Sequence, residues 1–283
     1  MSLVNSLFDI LEQFRDKLIH LYPKNEIDSI FFLVINHILG FSRSDYFLNS
    51  YKIIELKNNN KIFKILDRLE TAEPVQYILN SSHFYNLNLY VDKRVLIPRS
   101  ETEELVDWVI KDNIDKELTF LDIGTGSGCI SIALSKHLTG NFTAIDISND
   151  AVDIAMTNSN SNNVNIDFIV GDIFKHKFIT KFDVIVSNPP YVLNSEKINI
   201  HKNVLKYEPS DAIFVKNDSP LIFYERIIDI CKKYMNPKGL LYLEINHVFG
   251  SEICNLLSKS FFVNIELKKD INGRDRMVKA KLN

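Results

Sequence analysis

The stretch "LDIGTGSGCISIAL", residues 121–134, limits the possible folds more than any other part of the chain. An apolar run enters three alternating glycines, Gly124, Gly126 and Gly128, and leaves as a helix-patterned segment. Glycine permits positive φ and a close approach of backbone to a ligand. The helix that follows presents free N–H groups at its start. The same rhythm continues downstream. "FTAIDIS", "NIDFIVGD", "FDVIVSN" and "GLLYLEIN" read as strands, and "NDAVDIAMTNS", "PLIFYERIIDICKKYM" and "GSEICNLLSKS" as helices. Repeated βα units predict a mostly parallel sheet with helices on both faces. "FFVNIELKKD" and "RDRMVKAKL" close the chain around "INGRD" with no helix between them. One terminal strand is therefore expected to be antiparallel, in a sheet of seven strands. "NSNSNN" at 158–163 reads as a polar loop.

The first 80 residues follow another pattern. "SLFDILEQFRDKL" repeats Leu7, Ile10, Leu11, Phe14 and Leu18 at helical spacing, and "SIFFLVINHILG" ends on Gly40, a helix stop. With "NKIFKILDRLETAEP" they predict a small helical bundle, "KNNN" at 57–60 being a loop between helices. A chain of 283 residues fits a main domain of roughly 180–200 residues beside a smaller one. From Phe84, "FYNLNLYVDKRVLI" alternates about a central Asp-Lys and predicts a β-hairpin linker. In "PRSETEEL", Ser100 and Glu103 match a capping box at a helix start. The expected division is thus a helical domain over 1–80, a hairpin linker over 81–97 and an α/β domain over 98–283. The first residues read as part of an amphipathic helix, not a signal peptide, and no segment is apolar for long enough to predict a membrane span.

Three ligands compete for the glycine loop. A phosphate-binding loop needs Gly-Lys-Ser/Thr after its glycines, and that is absent. A dinucleotide fingerprint has a different glycine spacing. The third is S-adenosyl-L-methionine, whose amino acid tail can pack on such a loop while an acid ending the next strand takes its ribose hydroxyls; a tight βα turn that binds nothing is the alternative. Asp146 in "AIDIS" stands at that position. Asp172 in "VGDIF" ends the third strand, within reach of an adenine amino group, with Ile173 and Phe174 beside the ring; a helix cap or turn is the competing role for Asp172. Asp122 fits a hydrogen bond to the loop as well as a ligand contact.

"SNPPY", residues 187–191, ends the fourth strand. Ligands of open α/β sheets bind beyond the carboxyl ends of the strands. Asn188 is held extended by the proline after it. Its side-chain oxygen and the carbonyl of Pro189 form a pair of acceptors, and Tyr191 offers a stacking ring. Two acceptors suit a planar –NH2 group, whose lone pair they turn toward a methyl donor. An amide or an aromatic exocyclic amine is such a group.

Composition narrows the class. The net charge of -3 and pI near 6.2 argue against bulk polyanion binding. Cys129, Cys231 and Cys254 are far apart and odd in number, which fits buried thiols in a reducing cytoplasm. The histidines have no metal-ligand spacing, so no metal is expected.

These motifs together, with "EPVQYIL" at 73–79, "VLIPRSETEELV" at 95–106, "LKYEP" at 205–209, "LYLEI" at 241–245 and the final "NGRDR", resemble the bacterial peptide chain release factor N5-glutamine methyltransferases, the HemK/PrmC family. The resemblance covers essentially the whole chain. It implies a Rossmann-like class I methyltransferase sheet after a small helical domain and a hairpin. It implies that Gly124, Thr125, Gly126, Ser127, Gly128 and Asp146 bind the cofactor, with the site extending past Asp172 to Ile173 and reaching Asn188. It implies that Asn188, Pro189, Pro190 and Tyr191 hold the substrate glutamine, flanked by Leu96. That glutamine would belong to the Gly-Gly-Gln loop of class I release factors, the partners of a cytoplasmic monomer that uses no nucleic acid substrate. Three positions depart from the family pattern: Ser100 replaces a proline, and Asn80 and Asn246 replace glycines. Asn80 and Asn246 are expected in loops and to leave the chemistry unchallenged. Glu208 is expected either to orient the substrate loop or to form a buried pair with an arginine or a backbone N–H. Nucleobase-amine methylation and a non-catalytic cofactor-binding scaffold are the competing readings.

Overall fold

The computed structural model describes residues 5–283. The part of the first-helix reading that falls on residues 1–4 lies outside them. The chain divides into two compact units, one running to Asn80 and including His201–Tyr207, the other made of Ser81–Ile200 and Glu208–Asn283.

In the first unit, helix α1 (Leu7–Leu18) starts with a capping box between Ser6 and Asp9 and buries the apolar stripe read from the sequence. Helix α2 (Lys24–Leu39) stops at Gly40, whose φ is 70°. Helix α3 (Arg43–Asn49) follows, then α4 (Leu56–Leu69). The run "KNNN" lies inside α4 and is not a loop. Asn59 there is buried and accepts a hydrogen bond from Asn5 Nδ2 at 3.3 Å. Burial of Ile62, Leu66 and Leu69 outweighs the weak helix propensity of the asparagines. Helix α5 (Val75–Leu79) ends on Asn80, at φ 50° and ψ 39°. Asparagine tolerates this left-handed cap better than other side chains, which is why it can stand for glycine.

The second unit begins with a hairpin of β1 (Ser82–Phe84) and β2 (Leu87–Leu89). It turns at Tyr85 and Asn86, both at positive φ, and not at the expected Asp-Lys. Asp92 instead accepts from the Arg94 guanidinium and backbone N–H. Helix α6 (Ser100–Asn113) has Arg99 as its N-cap, so the predicted box at Ser100 does not form. Its intended partner Glu103 accepts from Tyr85 N at 2.7 Å and ties α6 to the hairpin.

The alternation continues through β3 (Glu117–Ile123), α7 (Cys129–His137), β4 (Thr139–Asp146), α8 (Asn149–Ser161), β5 (Asp167–Val170) and β6 (Phe182–Ser187). A short strand β7 (Val192–Leu193) pairs with β8 (Phe214–Val215), and between them in the chain lies α9 (Lys202–Tyr207), which belongs to the first unit. Helix α10 (Ile222–Tyr234), β9 (Met235–Glu244), α11 (Gly250–Ser258), β10 (Phe262–Lys269) and β11 (Asp275–Leu282) complete the chain. The main sheet has the order β10-β11-β9-β6-β3-β4-β5, and β11 alone runs against its neighbours. This is the expected seven-stranded, mostly parallel architecture. Alternate residues of β3 feed opposite faces: Phe120 shares a core with Val106 of α6 and Leu134 of α7, and Leu121 shares the other core with Ile227 and Ile228 of α10. The chain winds outward from β3 to β5 and then returns to β6 on the other side of β3. That reversal opens a crevice at the carboxyl ends of β3 and β6, where ligands of such sheets bind.

Candidate active site

The glycine loop leaves the end of β3. Gly124, Gly126 and Gly128 sit at φ 75°, 55° and 82°, so each uses the freedom read from the sequence. A Cβ on Gly124 or Gly126 would meet nothing within 4 Å, whereas one on Gly128 would come within 2.9 Å of Ile132 and 3.1 Å of Ala155. The first two glycines thus face open space, and the third lets the loop close on the helices. Thr125 and Ser127 are buried, and Thr125 Oγ1 donates to Asp122 Oδ2 at 2.7 Å. Asp122 also accepts from Ser131 N at 3.3 Å, while its Oδ1 is buried without a partner. Burial pushes its carboxyl up to about 6, against the pull of the Thr125 and Ser131 hydrogen bonds. Asp122 therefore braces the loop from behind.

Asp146, ending β4, accepts from Gly126 N at 2.8 Å and from Ser148 N at 2.9 Å. Burial raises its carboxyl and these backbone donors oppose that. Each carboxylate oxygen keeps a lone pair, so the group can still receive a diol. Gly171 N bonds to Asp146 O, which sets the start of the Asp172 loop beside it. Asp172 Oδ1 accepts from Phe174 N at 2.9 Å, and that N–H, helped by Lys175, holds its carboxyl below the ordinary value. The turn-forming role open to Asp172 is thus present. Arg226 Nε of α10 donates to Ile173 O at 2.7 Å, and Phe174 stands edge-on to Phe223. An open glycine cradle, an acid with spare lone pairs and an apolar wall fit an adenosyl group with a charged amino acid tail.

The sheet register pairs Ile123 with Ser187, and Ser187 Oγ donates to Ile123 O at 2.7 Å. The glycine loop and Asn188 therefore leave neighbouring strands side by side. Pro189 is buried, and Asn188, Pro190 and Tyr191 are half-buried. Asn188 Nδ2 donates to Thr102 Oγ1 at 3.1 Å. Thr102 Oγ1 donates to Glu244 Oε2 at 2.6 Å, and Tyr191 OH donates to Glu244 Oε1 at 2.9 Å. Arg276 Nη1 donates to Tyr191 OH at 3.3 Å, and its guanidinium lies over the ring at 5.8 Å. Burial raises the Glu244 carboxyl against the pull of these donors, and burial beside Glu244 raises the Tyr191 phenol strongly. One ring face of Tyr191 is thus covered by Arg276 and its hydroxyl is turned inward.

Several of these residues were not singled out by sequence reasoning. Thr102, Glu244 and Arg276 lay inside quoted motifs, but nothing local marked them as partners of Asn188. Asn246 lies in the loop after β9, as expected, but it is buried and bonded to the "SNPPY" segment. Its Nδ2 donates to Tyr191 O at 3.1 Å and Glu196 Oε2 at 3.0 Å, which fixes the backbone at the end of "SNPPY". "NSNSNN" is a correction, since α8 runs on to Ser161 and Asn158 is buried. Asn158 bonds to both backbone groups of Tyr90 and donates to Ser127 O at 2.9 Å, binding the segment after the hairpin to the glycine loop. Glu208 forms the buried pair: it accepts from Arg99 at 2.7 Å and from Ile97 N at 3.2 Å, stapling the segment that carries half-buried Leu96.

The family model of the methyltransferase small domain matches residues 102–209, and that of the PrmC N-terminal domain matches residues 9–79. The chain is 43% identical over 278 residues to the release factor glutamine methyltransferase of Flavobacterium psychrophilum, covering 95% of this chain and 96% of that protein. It is 38% identical over 269 residues to the protein of the same description from Bacteroides thetaiotaomicron, covering 94% and 96%. Among solved structures, a methyltransferase from Pyrococcus furiosus aligns with a TM-score of 0.53 at 17% identity, over 80% of this chain and 98% of that one. That likeness supports the fold.

Proposed function

This chain belongs to the release factor glutamine methyltransferase family, and on that premise we propose that it methylates the side-chain amide nitrogen of a release factor glutamine. The observation that carries the reading is the orientation of Asn188. Its amide nitrogen is committed to Thr102, which leaves Oδ1 as an acceptor at the crevice. The methyl donor is S-adenosyl-L-methionine, which when bound supplies an electrophilic methyl group on a sulfonium sulfur. Backbone of Gly124 to Gly128, Asp146 and the Asp172–Ile173 turn would hold it.

Asn188 Oδ1 and the Pro189 carbonyl accept the two hydrogens of the substrate amide. Holding both turns the nitrogen lone pair toward the methyl. Orientation of this kind contributes on the order of 7–11 kcal/mol when reacting atoms are near attack distance. The same acceptors stabilise positive charge that develops on nitrogen as the N–C bond forms and the S–C bond breaks, an oxyanion-hole effect of reversed sign, and one amide proton leaves afterwards. Tyr191, held by Glu244 and Asn246, is placed to pack on the planar group with the face that Arg276 leaves free, and Pro190 and Leu96 flank it. A side-chain carboxylate offers no N–H to these acceptors, which favours glutamine over glutamate.

The target we assign is the glutamine of the Gly-Gly-Gln loop of class I release factors, in the cytoplasm, with a monomer as the acting species. We assign docking of the release factor to residues 1–80, linkage to 81–97 and catalysis to 98–283. Among the described residues, no helix is long and apolar enough to cross a membrane. The test is to incubate the protein and cofactor with a release factor, duplex DNA and total RNA in parallel. One added methyl on the Gly-Gly-Gln glutamine, found by peptide mass spectrometry, is the expected result. Methyl on nucleic acid alone, or none on that glutamine, overturns the reading.

A further inference from the structure

We propose that Thr102 and Glu244 are positioning residues that set which way round the Asn188 side chain sits, and so whether the site presents an acceptor to the substrate amide. This rests on the reading of Asn188 given above. A carboxamide has nearly the same shape with its oxygen and nitrogen exchanged. Packing alone therefore discriminates poorly between the two orientations, and the hydrogen-bonding neighbours decide.

The neighbour of Asn188 is a hydroxyl, which could either donate or accept. If Thr102 donated to Asn188, the amide oxygen would turn inward and the –NH2 would face the substrate, donor against donor. Thr102 has one proton, and Glu244 takes it across 2.6 Å. A hydrogen bond to a carboxylate is stronger than one to a neutral amide, so the proton stays there. Only lone pairs remain for Asn188 Nδ2, at 3.1 Å. The second branch has the same sense. Arg276 Nη1 donates to Tyr191 OH, whose proton goes to the other oxygen of Glu244. Both branches run toward one carboxylate that is 1% exposed, beside a threonine that is 2% exposed. The directions follow from the donors: arginine can only donate and a carboxylate only accept. Four separate segments supply the parts: the first turn of α6, the end of β6, the end of β9 and the start of β11.

Glu244→Gln keeps the shape and reverses the logic. Tyr191 still needs an acceptor because Arg276 occupies its lone pair, so the new –NH2 faces Thr102. The Thr102 proton is then free to draw the Asn188 oxygen inward. Thr102→Val removes the hydroxyl at constant shape, and Thr102→Ser keeps it.

The experiment measures kcat on a release factor, KM for that release factor, cofactor Kd and thermal midpoint for the three variants. Thr102→Val and Glu244→Gln should lower kcat by about ten- to a hundredfold, the kinetic weight of one lost orienting hydrogen bond. Cofactor Kd should stay within about twofold, a free-energy change too small to reflect a lost contact, and Thr102→Ser should keep kcat close to wild type. Thr102→Val at wild-type kcat overturns the proposal, and so does an equal loss in Thr102→Val and Thr102→Ser, which would show that shape matters and the hydroxyl does not. If Thr102→Val fails to fold, judged by lost cofactor binding, Thr102→Ala and Glu244→Gln are read by the same criterion, and wild-type kcat in either is disproof. Absence of methyl transfer by the unmodified protein is a separate result, which removes the parent reading before any variant is read.

Discussion

The side of the crevice to which we assign the cofactor is built mainly of backbone, and the side to which we assign the substrate amide mainly of side chains. At the glycine loop, three residues at positive φ and the main-chain N–H of Gly126 define the surface, braced by Asp122 and Asp146 within 25 residues of chain. Beside Asn188, the parts come from residues 102, 188, 191, 244 and 276, which four separate segments supply. The two sides also treat their buried carboxylates differently. Glu244 has a donor on each oxygen, whereas Asp122 leaves Oδ1 without one. A backbone-built surface tolerates changes of side chain but not of conformation. A side-chain network tolerates little change at its members and leaves the cofactor surface alone.

Asn188→Ala should separate the two sides most widely. Turnover should fall by roughly 10²–10³, as when one preorganised hydrogen-bonding group is removed, with cofactor affinity nearly unchanged by calorimetry. Wild-type turnover would remove Asn188 from the chemistry. Next is Gly128→Ala, which challenges the backbone side through its fold. The added Cβ would stand 2.9 Å from Ile132 and 3.1 Å from Ala155 at a φ of 82°. Strain and overpacking together should reduce stability by about 3 kcal/mol in chemical denaturation. An unchanged unfolding midpoint would mean that the loop does not close on its helices as described.

Asp122 provides a pH-dependent contrast. Burial lifts its carboxyl to about 6, above the 3.8 of an open chain. Between those values the folded protein holds a proton that the unfolded chain has released. Stability should therefore fall as pH rises through this window, by on the order of 2 kcal/mol, and Asp122→Asn should flatten that slope. A slope unaltered in Asp122→Asn would place its origin elsewhere. The smallest effect is expected at Gly126→Ala, where a Cβ meets no protein atom but stands in the open space of the loop. Cofactor Kd should rise about tenfold, equivalent to 1.4 kcal/mol.

The contrast also explains what could be read from the chain. The strands, their order of type and the glycine loop were legible because their signals are local: apolar runs, period-3.6 stripes and glycines at alternate positions. Gly40 ended its helix as its type suggests. Asparagine misled. Asn59 and Asn158 read as loop residues, yet each lies in a helix and is buried, and like the loop residue Asn246 each has its amide bonded across the fold. Propensity describes an isolated segment and cannot include a partner 50 or more residues away. The capping box at Ser100 failed for a similar reason, since Glu103 is taken by the hairpin. Asn188 was visible because two prolines follow it. Thr102 and Glu244, which hold it, carry no mark of their own, because their partnership exists only once β6, β9 and α6 have assembled.

A crossed titration tests whether the two sides are separable. Cofactor Kd and the first-turnover rate at saturating cofactor are measured on Asn188→Ala and Gly126→Ala in one series. The predicted result is a rate loss at unchanged Kd for Asn188→Ala, and a raised Kd with near wild-type saturated rate for Gly126→Ala. If each variant loses rate and affinity together, the site is a single coupled unit and the division drawn between backbone and side-chain construction is wrong.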